Sequence, residues 1–248
     1  MRSVDLNCDL GEGAGHDAEL MPLVSSANIA CGGHAGDEAT MRATLRLALR
    51  HGVAIGAHPG FVDRENFGRV ELRVSTDEIR GFVRNQVQHL LAIAQQCNAR
   101  VRHVKPHGAL YNLAARDHGV AQAVADAVYE ADPRLLLVGL AGSRLIDAGA
   151  ACGLSTISEG FADRSYQADG SLTPRGQPGA LIGDEDVAVA QVLRMVREGK
   201  VKATDGSDVP LTADTICLHG DGGQVVAFAT RLRAELKQAG LEIRSFAA

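Results

Sequence analysis

The sequence contains no tryptophan, and only 4% of its 248 residues are aromatic. Proteins that stack bases or sugars on their surface depend on aromatic side chains, so this shortage argues against such a platform. The net charge is −5 and no block of like charge occurs, which gives no reason to expect a nucleic-acid or membrane partner. No apolar run approaches the ~20 residues that a membrane-spanning helix needs.

Paired cysteines are also missing. The five cysteines, Cys8, Cys31, Cys97, Cys152 and Cys217, lie too far apart for the usual zinc spacings and suggest no disulfide framework. The opening residues MRSVDLNCDL carry no apolar core of signal-peptide length. We therefore expect a cytoplasmic protein with reduced thiols.

Short apolar segments alternate with longer amphipathic segments along the chain. The apolar segments predict β-strands at residues 3–9, 25–31, 53–58, 101–106, 135–141, 154–159 and 215–220, with an eighth candidate at 241–246. The run LLLVGLA from Leu135 is continuously apolar, which is typical of a parallel strand buried on both faces. Such alternation predicts parallel strands joined by right-handed crossovers.

Helices are predicted between these strands. The clearest begins at STDE, where Ser75 and Glu78 have the spacing of a capping box. Another follows Asp37 and ends at Gly52, since glycine favours the left-handed conformation that closes a helix. Two further helices are predicted at residues 184–198 and 223–239.

One segment interrupts the alternation. VKATDGSDVPLT from Val201 predicts a small hairpin that turns at Asp205–Gly206. The sequence contains no linker, low-complexity segment or internal repeat. We therefore predict a single domain over residues 1–248, with a small hairpin insertion near 200–214.

Three predicted strands carry a polar face. The alternating polar positions are Asp5, Asn7 and Asp9 in VDLNCD, His103, Lys105 and His107 in HVKPHG, and Cys217, His219 and Asp221 in ICLHGD. An open sheet covered by helices on both sides would bury such faces against apolar side chains. A closed barrel whose interior opens to a site at its mouth accommodates them, so the pattern favours a (β/α) barrel of the α/β class.

The loops that follow the predicted strands concentrate functional side chains. In chain order these are Asp9, Glu12, Asn28, His34, His58, Lys105, His107, Tyr111, Glu159, Asp163, Arg164, Arg175, His219 and Asp221. Because the carboxyl ends of barrel strands meet at one mouth, we predict that these side chains form an active site there.

Three kinds of chemistry fit these residue types, and their spacing does not choose among them. One carboxylate with two imidazoles could hold a divalent metal ion, cations could clamp carboxylate or phosphate oxygens, and carboxylates beside neutral histidines could exchange protons. The candidate metal ligands are Asp9, His34, His58 and His107, and the candidate anion ligands are Lys105, Arg164 and Arg175. Neither a P-loop nor an HExxH motif is present.

Seven stretches of the sequence, taken together and in order, resemble the LamB/YcsF family. They are NCDLGE from Asn7, NIACGGHAGD from Asn28, GAHPGF from Gly56, FGR from Phe67, VKPHGALYN from Val104, FADRSYQADGSLTPR from Phe161 and CLHGD from Cys217. The resemblance implies a distorted seven-stranded (β/α) barrel of the glycoside hydrolase/deacetylase type. It also implies ATP-dependent opening of the lactam ring of 5-oxo-L-proline (pyroglutamate) to L-glutamate, in an enzyme completed by 5-oxoprolinase subunits B and C.

This activity suggests roles for the predicted site residues, with ATP as cosubstrate and Mg²⁺ as its counter-ion. The catalytic candidates are Asp9, Glu12, His58, His107, Asp163 and His219. The candidates for binding substrate or phosphate are Asn7, Asn28, His34, Lys105, Tyr111, Arg164, Arg175 and Asp221. The preferred metal ligands are Asp9, His58 and His107.

Two rival functions remain open from the sequence. A metal-dependent deacetylase or amide hydrolase, which needs no ATP, could use the same barrel and the same carboxylate–histidine set. A non-catalytic protein that binds 5-oxoproline and delivers it to a partner could use the same cations.

Overall fold

The computed structural model describes residues 3–218 and 225–247. Its strands are β1 (Ser3–Leu10), β2 (Ser26–Ala30), β3 (Ala54–His58), β4 (Val101–Val104), β5 (Leu136–Leu140), β6 (Thr156–Phe161), β7 (Lys200–Lys202), β8 (Asp208–Pro210), β9 (Thr215–Leu218) and β10 (Glu242–Ile243). Its helices are α1 (Asp17–Leu20), α2 (Glu38–His51), α3 (Thr76–Gln96), α4 (Gly108–Arg116), α5 (His118–Ala131), α6 (Arg144–Cys152), α7 (Glu185–Glu198) and α8 (Val225–Gln238), with a 3₁₀ turn at Met21–Leu23.

Seven parallel strands close into a barrel. The ring runs β1–β2–β3–β4–β5–β6–β9, and β1 pairs with both β2 and β9, which removes the sheet edges. The short strand β10 adds two residue pairs to β1 outside the ring. The predicted seven-stranded (β/α) barrel is therefore confirmed, and the eighth strand candidate is an appendage of it.

The barrel is irregular between β3 and β4, where the register shifts at Ile55/Gly56. A Cβ atom added at Gly56 would lie 2.0 Å from His103 Nε2, so only glycine leaves room for this imidazole inside the barrel. The shift and the missing side chain together explain why a strand of the form AIGAH carries a glycine at its centre.

Helix α3 begins with the capping box that the sequence predicts, because Ser75 and Glu78 satisfy each other's backbone N–H groups. Its buried face includes Ile79, Val83 and Leu90. Burying each such side chain contributes roughly 1.5–3 kcal/mol, so this face holds the helix against the barrel. Helix α2 likewise starts at the predicted cap Asp37 and ends at left-handed Gly52.

The two faces of the barrel strands have opposite chemistry. On β1, Leu6 and Cys8 pack into the apolar layer between barrel and helices, whereas Asp5, Asn7 and Asp9 face the interior. A polar interior is stable only if its groups form hydrogen bonds with one another, and Asp5, Asn7 and Asp9 all do so.

A two-stranded antiparallel sheet, β7–β8, stands apart from the barrel between α7 and β9. Its turn passes through Gly206 in the left-handed conformation, as the hairpin prediction requires. Among the helices in residues 3–218 and 225–247, none is long and apolar enough to cross a membrane.

Candidate active site at the carboxyl end of the barrel

The floor of the barrel interior is a buried carboxyl group. Asp5 is 1% exposed and accepts hydrogen bonds from Ser25, Ser26 and Thr215. Burial raises the pKa of Asp5 to about 6, although these hydroxyl donors oppose the shift.

Two asparagines form the layer above this floor. Asn7 donates to Glu159 and to Thr215, and Asn28 donates to Asn7 Oδ1 and to Asp9 Oδ1. His103 Nε2 donates to Asn28 Oδ1 over 2.7 Å, and burial together with Lys105 lowers the pKa of His103 to about 3. Asn7 and Asn28 thus position other side chains in this network, and the substrate-binding role predicted for them stays a prediction.

Lys105 is the centre of the next layer. Its Nζ atom lies 3.0 Å from Asp9 Oδ1, from Glu159 Oε1 and from Cys217 Sγ. Burial disfavours the ammonium form, yet the carboxyl groups of Asp9 and Glu159 raise the pKa of Lys105 well above its usual value. Burial raises the pKa of the Cys217 thiol, so this neighbour is neutral at physiological pH.

Acidic groups outnumber cations in this interior network. In the described part of the network, the carboxyl groups of Asp5, Asp9, Glu12 and Glu159 face the single ammonium group of Lys105. Buried charge is costly unless it is paired. A proton on a carboxyl group or an imidazole, or a bound cation, therefore balances the excess.

Three imidazoles surround Glu12 at the top of the barrel. Glu12 Oε1 lies 3.1 Å from His34 Nε2, 3.2 Å from His107 Nδ1 and 3.7 Å from His58 Nε2. The rings of His34 and His107 stack with centroids 3.6 Å apart. Burial opposes ionisation of Glu12, but the close contacts with the imidazoles of His107 and His34 outweigh it and lower the pKa of Glu12. We call these four residues the Glu12 cluster.

Backbone carbonyls fix the tautomers of two of these histidines. His58 Nδ1 donates to the Lys105 carbonyl over 2.7 Å, and His107 Nε2 donates to the Phe67 carbonyl over 2.9 Å. The remaining ring nitrogens, His58 Nε2 and His107 Nδ1, then face each other over 2.9 Å. Two lone pairs repel at this distance unless a proton or a metal ion lies between them.

The three imidazoles of the Glu12 cluster differ in the direction in which their pKa is shifted. Burial disfavours a charge on His58, but Asp9, whose Oδ2 lies 3.3 Å from His58 Nε2, and Glu12 raise the pKa of His58. Burial lowers the pKa of His34 to about 4 and also lowers the pKa of His107. Two neutral imidazoles with a carboxylate at their centre are ready to bind a metal ion.

The Glu12 cluster fits a transition-metal site. One ligand atom from each of its residues lies within 4.8 Å of the other three. Three imidazoles and one carboxylate suit Zn²⁺, Mn²⁺, Fe²⁺ or Co²⁺, whereas Mg²⁺ prefers oxygen ligands. Of the preferred metal ligands predicted from the sequence, His58 and His107 belong to the cluster. Asp9 lies outside it and contacts it through His58. Glu12 and His34 are the other two members.

Two residues that the sequence does not single out hold the cluster in place. Gln86, buried on α3, donates to the Gly60 carbonyl and accepts from the Gly60 N–H. Arg64 donates to the carbonyls of Gly32 and Gly36 and so clamps the loop that carries His34. Neither position interrupts a helical or loop pattern, so the sequence contains no signal for these roles.

Glycine is required where the loops meet. Gly68 has a φ of +62°, and an added Cβ atom would lie 2.8 Å from His34 Cβ and 3.1 Å from His107 Cδ2. This close approach lets the loop after β3 cover the two stacked rings. Gly68 is the glycine of the FGR stretch that resembles the LamB/YcsF family, so the glycine in this stretch has a steric reason.

An inner pocket of about 40 Å³ opens above Lys105 and the Glu12 cluster. Its lining includes Asp9, Glu12, His58, Lys105, His107, Tyr111, Phe161, Arg164, Leu172 and Arg175. The predicted candidates in this set come from β1, β3, α4 and the segments after β1, β4 and β6, so the structure brings residues from distant parts of the chain together.

The other predicted residues have different positions. His34 belongs to the Glu12 cluster behind the pocket wall, and Asp163 is half-buried beside Arg164 without being among the described lining residues. His219 and Asp221 lie outside the described residues. The roles predicted for all of these residues stay predictions.

Glu159 and Tyr111 place buried polar atoms at the base of the pocket. Glu159 is fully buried, and its Oε2 atom and the Tyr111 hydroxyl both lack a hydrogen-bond partner in the described part of the chain. Burial and the nearby Glu159 raise the pKa of Tyr111. Tyr111 therefore stays protonated and can donate to a ligand in the pocket.

A second, wider cavity of about 670 Å³ adjoins the inner pocket and shares Arg69, Asn112, Arg164 and Arg175 with it. Arg164 is 3% exposed and donates to the carbonyls of Thr173 and Ala180. Burial and the neighbouring Arg175 lower the pKa of Arg164 to about 10. Two adjacent guanidinium groups at the junction of both spaces favour an anionic ligand there.

Solved structures agree with this architecture. The lactam utilization protein from Thermus thermophilus superimposes with a TM-score of 0.92 and 46% sequence identity, over 98% of this chain and 100% of that one. The peptidoglycan deacetylase PdaC from Bacillus subtilis, solved as a mutant, gives a TM-score of 0.50 at 12% identity over 99% and 88% of the two chains. The second likeness concerns the fold alone.

Curated relatives cover the whole chain. The A subunit of 5-oxoprolinase from Geobacillus kaustophilus (strain HTA426) is 54% identical over 249 residues, which cover 99% of this chain and 97% of the relative. The protein of the same name from Tolumonas auensis is 55% identical over 250 residues, or 99% and 100% of the two chains. The model of the LamB/YcsF family matches residues 4–248. The resemblance read from the sequence is thereby confirmed, and this chain belongs to the LamB/YcsF family.

Proposed function

We propose that this chain is a catalytic component of an ATP-dependent 5-oxoprolinase, which opens 5-oxo-L-proline to L-glutamate. The observation that carries this proposal is the inner pocket, whose lining combines Lys105 and three members of the Glu12 cluster with Arg164 and Arg175. The full-length similarity to proteins named as the A subunit of 5-oxoprolinase supports the choice of substrate.

The substrate fits the distribution of charge in this pocket. Its single carboxylate suits the guanidinium groups of Arg164 and Arg175, and its ring can contact Phe161 and Leu172. The lactam group then points toward Lys105. Such an orientation fixes the reacting carbon relative to the acidic groups before any bond changes.

ATP makes the lactam a better electrophile. Transfer of its γ-phosphoryl group to the lactam oxygen releases ADP, and a water molecule then adds to the ring carbon. The C–N bond breaks, the nitrogen takes a proton, and an acyl phosphate remains. A second water hydrolyses it to L-glutamate and phosphate, so two water molecules and one ATP are consumed.

The residues of the pocket supply the groups that these steps need. Asp9 faces the pocket as the proton acceptor for the attacking water. Lys105 presents a positive charge to the oxygen that becomes negative, and Tyr111 donates a hydrogen bond. We assign these roles on geometry, and Glu159 positions Lys105 from below.

A metal ion in the Glu12 cluster would act as a Lewis acid or activate water. The ligands would be Glu12, His34, His58 and His107, and the carbonyls of Lys105 and Phe67 orient two of the rings. We expect Mg²⁺ to enter separately, bound to the phosphates of ATP.

We further propose that the chain works with 5-oxoprolinase subunits B and C in the cytoplasm. The relatives are named as one lettered component of 5-oxoprolinase, which supports an assembly, and the five free cysteines are compatible with a reducing compartment. The test is to mix the three proteins with 5-oxoproline and ATP, and to omit each component in turn. We expect glutamate and ADP to form together only in the complete mixture.

Further measurements bear on the rival functions. The Glu12 cluster favours metal-dependent amide hydrolysis as the second candidate, because such chemistry needs no nucleotide. Release of acetate from N-acetyl sugars by the metal-loaded chain without ATP would support that candidate. Glutamate formation that persists without this chain would refute a catalytic role for it.

A further inference from the structure

The N-terminus of helix α6 opens into the 670 Å³ cavity, and its cap residue is unusual. Ser143 is the N-cap, but its side chain makes no capping hydrogen bond to the first turn. It is 6% exposed, and its hydroxyl oxygen has no hydrogen-bond partner in the described part of the chain. A buried hydroxyl without a partner is unfavourable, and a ligand in the cavity can supply the missing hydrogen bond.

The surroundings of this hydroxyl favour negative charge. In the first turn of this nine-residue helix, the N–H groups of Ile146 and Asp147 donate to the Ser143 carbonyl. The two N–H groups before them remain available to a ligand, and the helix dipole places partial positive charge there. Leu140, Ala141 and Gly142, which precede the cap, also line the cavity. Hydroxyl and helix N-terminus together form an ordinary recognition site for a phosphoryl group.

Charged side chains in the same cavity strengthen this preference. Arg116 is paired with Glu71, and Asp169 accepts hydrogen bonds from Ser171. Arg164 and Arg175, in contrast, have no carboxylate within ion-pair distance among the described residues. The cavity thus offers two guanidinium groups to an anion, and its volume suits a nucleotide-sized ligand.

We infer that Ser143 and the N-terminus of α6, together with Arg164 and Arg175, bind the phosphoryl group of a phosphate-bearing ligand in the outer cavity. The inference rests on the proposed function, since it places the phosphoryl chemistry on this chain beside the lactam pocket. Free phosphate, a nucleotide or a phosphorylated substrate would each present the same group.

The test is isothermal titration calorimetry on the full chain with saturating 5-oxoproline. Inorganic phosphate, pyrophosphate, ADP and ATP are titrated separately, each with and without Mg²⁺. Binding of ADP and ATP but not of phosphate or pyrophosphate would identify a nucleotide, and binding of all four would identify the phosphoryl group alone. If none of the four binds, the inference is wrong.

The variant Ser143→Asp separates binding from folding. Aspartate is a good N-cap, so α6 should keep its stability, while the added negative charge opposes a phosphoryl group. We expect at least tenfold weaker binding and an unchanged or higher melting temperature. Ser155→Asp, an exposed serine at the other end of the barrel, adds the same charge and should leave the affinity unchanged.

Equal affinity of Ser143→Asp and the unchanged chain would overturn the inference. A chain that supports glutamate formation with its partners but binds no phosphoryl ligand would refute this site and leave the proposed function intact. A chain that binds these ligands through Ser143 but supports no ring opening would refute the proposed function and leave the site.

Discussion

The Lys105 ammonium group lies 3.0 Å from the Asp9 carboxylate in the middle of the barrel, and both side chains are at least nine-tenths buried. Neither charge is stable there without the other, because removing one partner leaves an uncompensated buried charge. This pair, which joins β1 to the segment after β4, links the stability of the barrel to the chemistry of its mouth.

We expect Lys105→Met to destabilise the protein by about 3–5 kcal/mol, the cost of breaking a buried ion pair. Urea denaturation of Lys105→Met, Asp9→Asn and the double variant gives the coupling between the two residues. The double variant should lose less than the sum of the single losses. Additive losses of unfolding free energy would contradict the ion pair. The control is Lys202→Met, which breaks an exposed pair with Asp208 and should cost no more than about 1 kcal/mol.

The Glu12 cluster should bind one transition-metal ion per chain. We expect elemental analysis of the full chain, dialysed against Zn²⁺, Mn²⁺ or Co²⁺, to find one equivalent that a chelator removes. Co²⁺ would also give visible absorption bands that depend on imidazole ligands. The variants His34→Ala and Glu12→Gln should lose this equivalent, because each removes a ligand.

His89→Ala is the matched control for the metal experiment, since His89 is exposed on α3 and lies outside the cluster. It should bind metal as the unchanged chain does. Stoichiometric metal in His34→Ala, or none in the unchanged chain, would show that the Glu12 cluster is not a metal site.

The floor carboxyl group predicts a pH dependence of stability. Burial raises the pKa of folded Asp5 to about 6, above the value of about 4 in an unfolded chain. Its contribution is therefore fully present below pH 4 and is lost as the pH rises through 6. The loss amounts to roughly 3 kcal/mol, from about two pKa units.

The difference between the unchanged chain and Asp5→Asn isolates this effect from other groups. The free energy of unfolding of both proteins is measured by urea denaturation from pH 4 to pH 8. We expect the difference between them to change across pH 4–6 and to level off above pH 7. A difference that stays constant with pH would mean that Asp5 titrates normally.

Gln86 should act on the site without touching a ligand in the pocket. In Gln86→Leu, the Gly60 N–H and carbonyl lose their partners, at a cost of about 1–3 kcal/mol for each unsatisfied group. We expect lower stability and weaker metal binding, because Pro59 and Gly60 support His34 and His107. Gln88→Leu, exposed on the same helix, should change neither property.

The sequence predicts the strands, the closed barrel and most of the pocket, because each follows from local pattern. Alternating polar residues on β1 identify the interior face, and the position of a residue after its strand identifies the mouth. Asp9, Lys105 and His107 were found in this way. Glu159, which pairs with Lys105, follows the same rule, because it lies at the end of a predicted strand.

Other features depend on distances that no local pattern carries. The hydrogen bonds that place Asn7 and Asn28 in the internal network join strands that are far apart in the sequence, so the pattern of either strand does not reveal them. The partner of Gln86 lies in another segment, and the Ser143 hydroxyl is buried beside a cavity that several segments form, so only the folded structure reveals both features.

The most direct test of the account is glutamate formation by the complete three-protein mixture containing His107→Ala or Asp9→Asn in this chain. We predict at least a hundredfold loss of glutamate formation for each variant, the usual scale for removing an acid–base group or a ligand. His118→Ala, at an exposed histidine at the start of α5, should turn over normally. Near-normal glutamate formation with His107→Ala and Asp9→Asn would contradict the central claim that ring opening takes place at the mouth of this barrel.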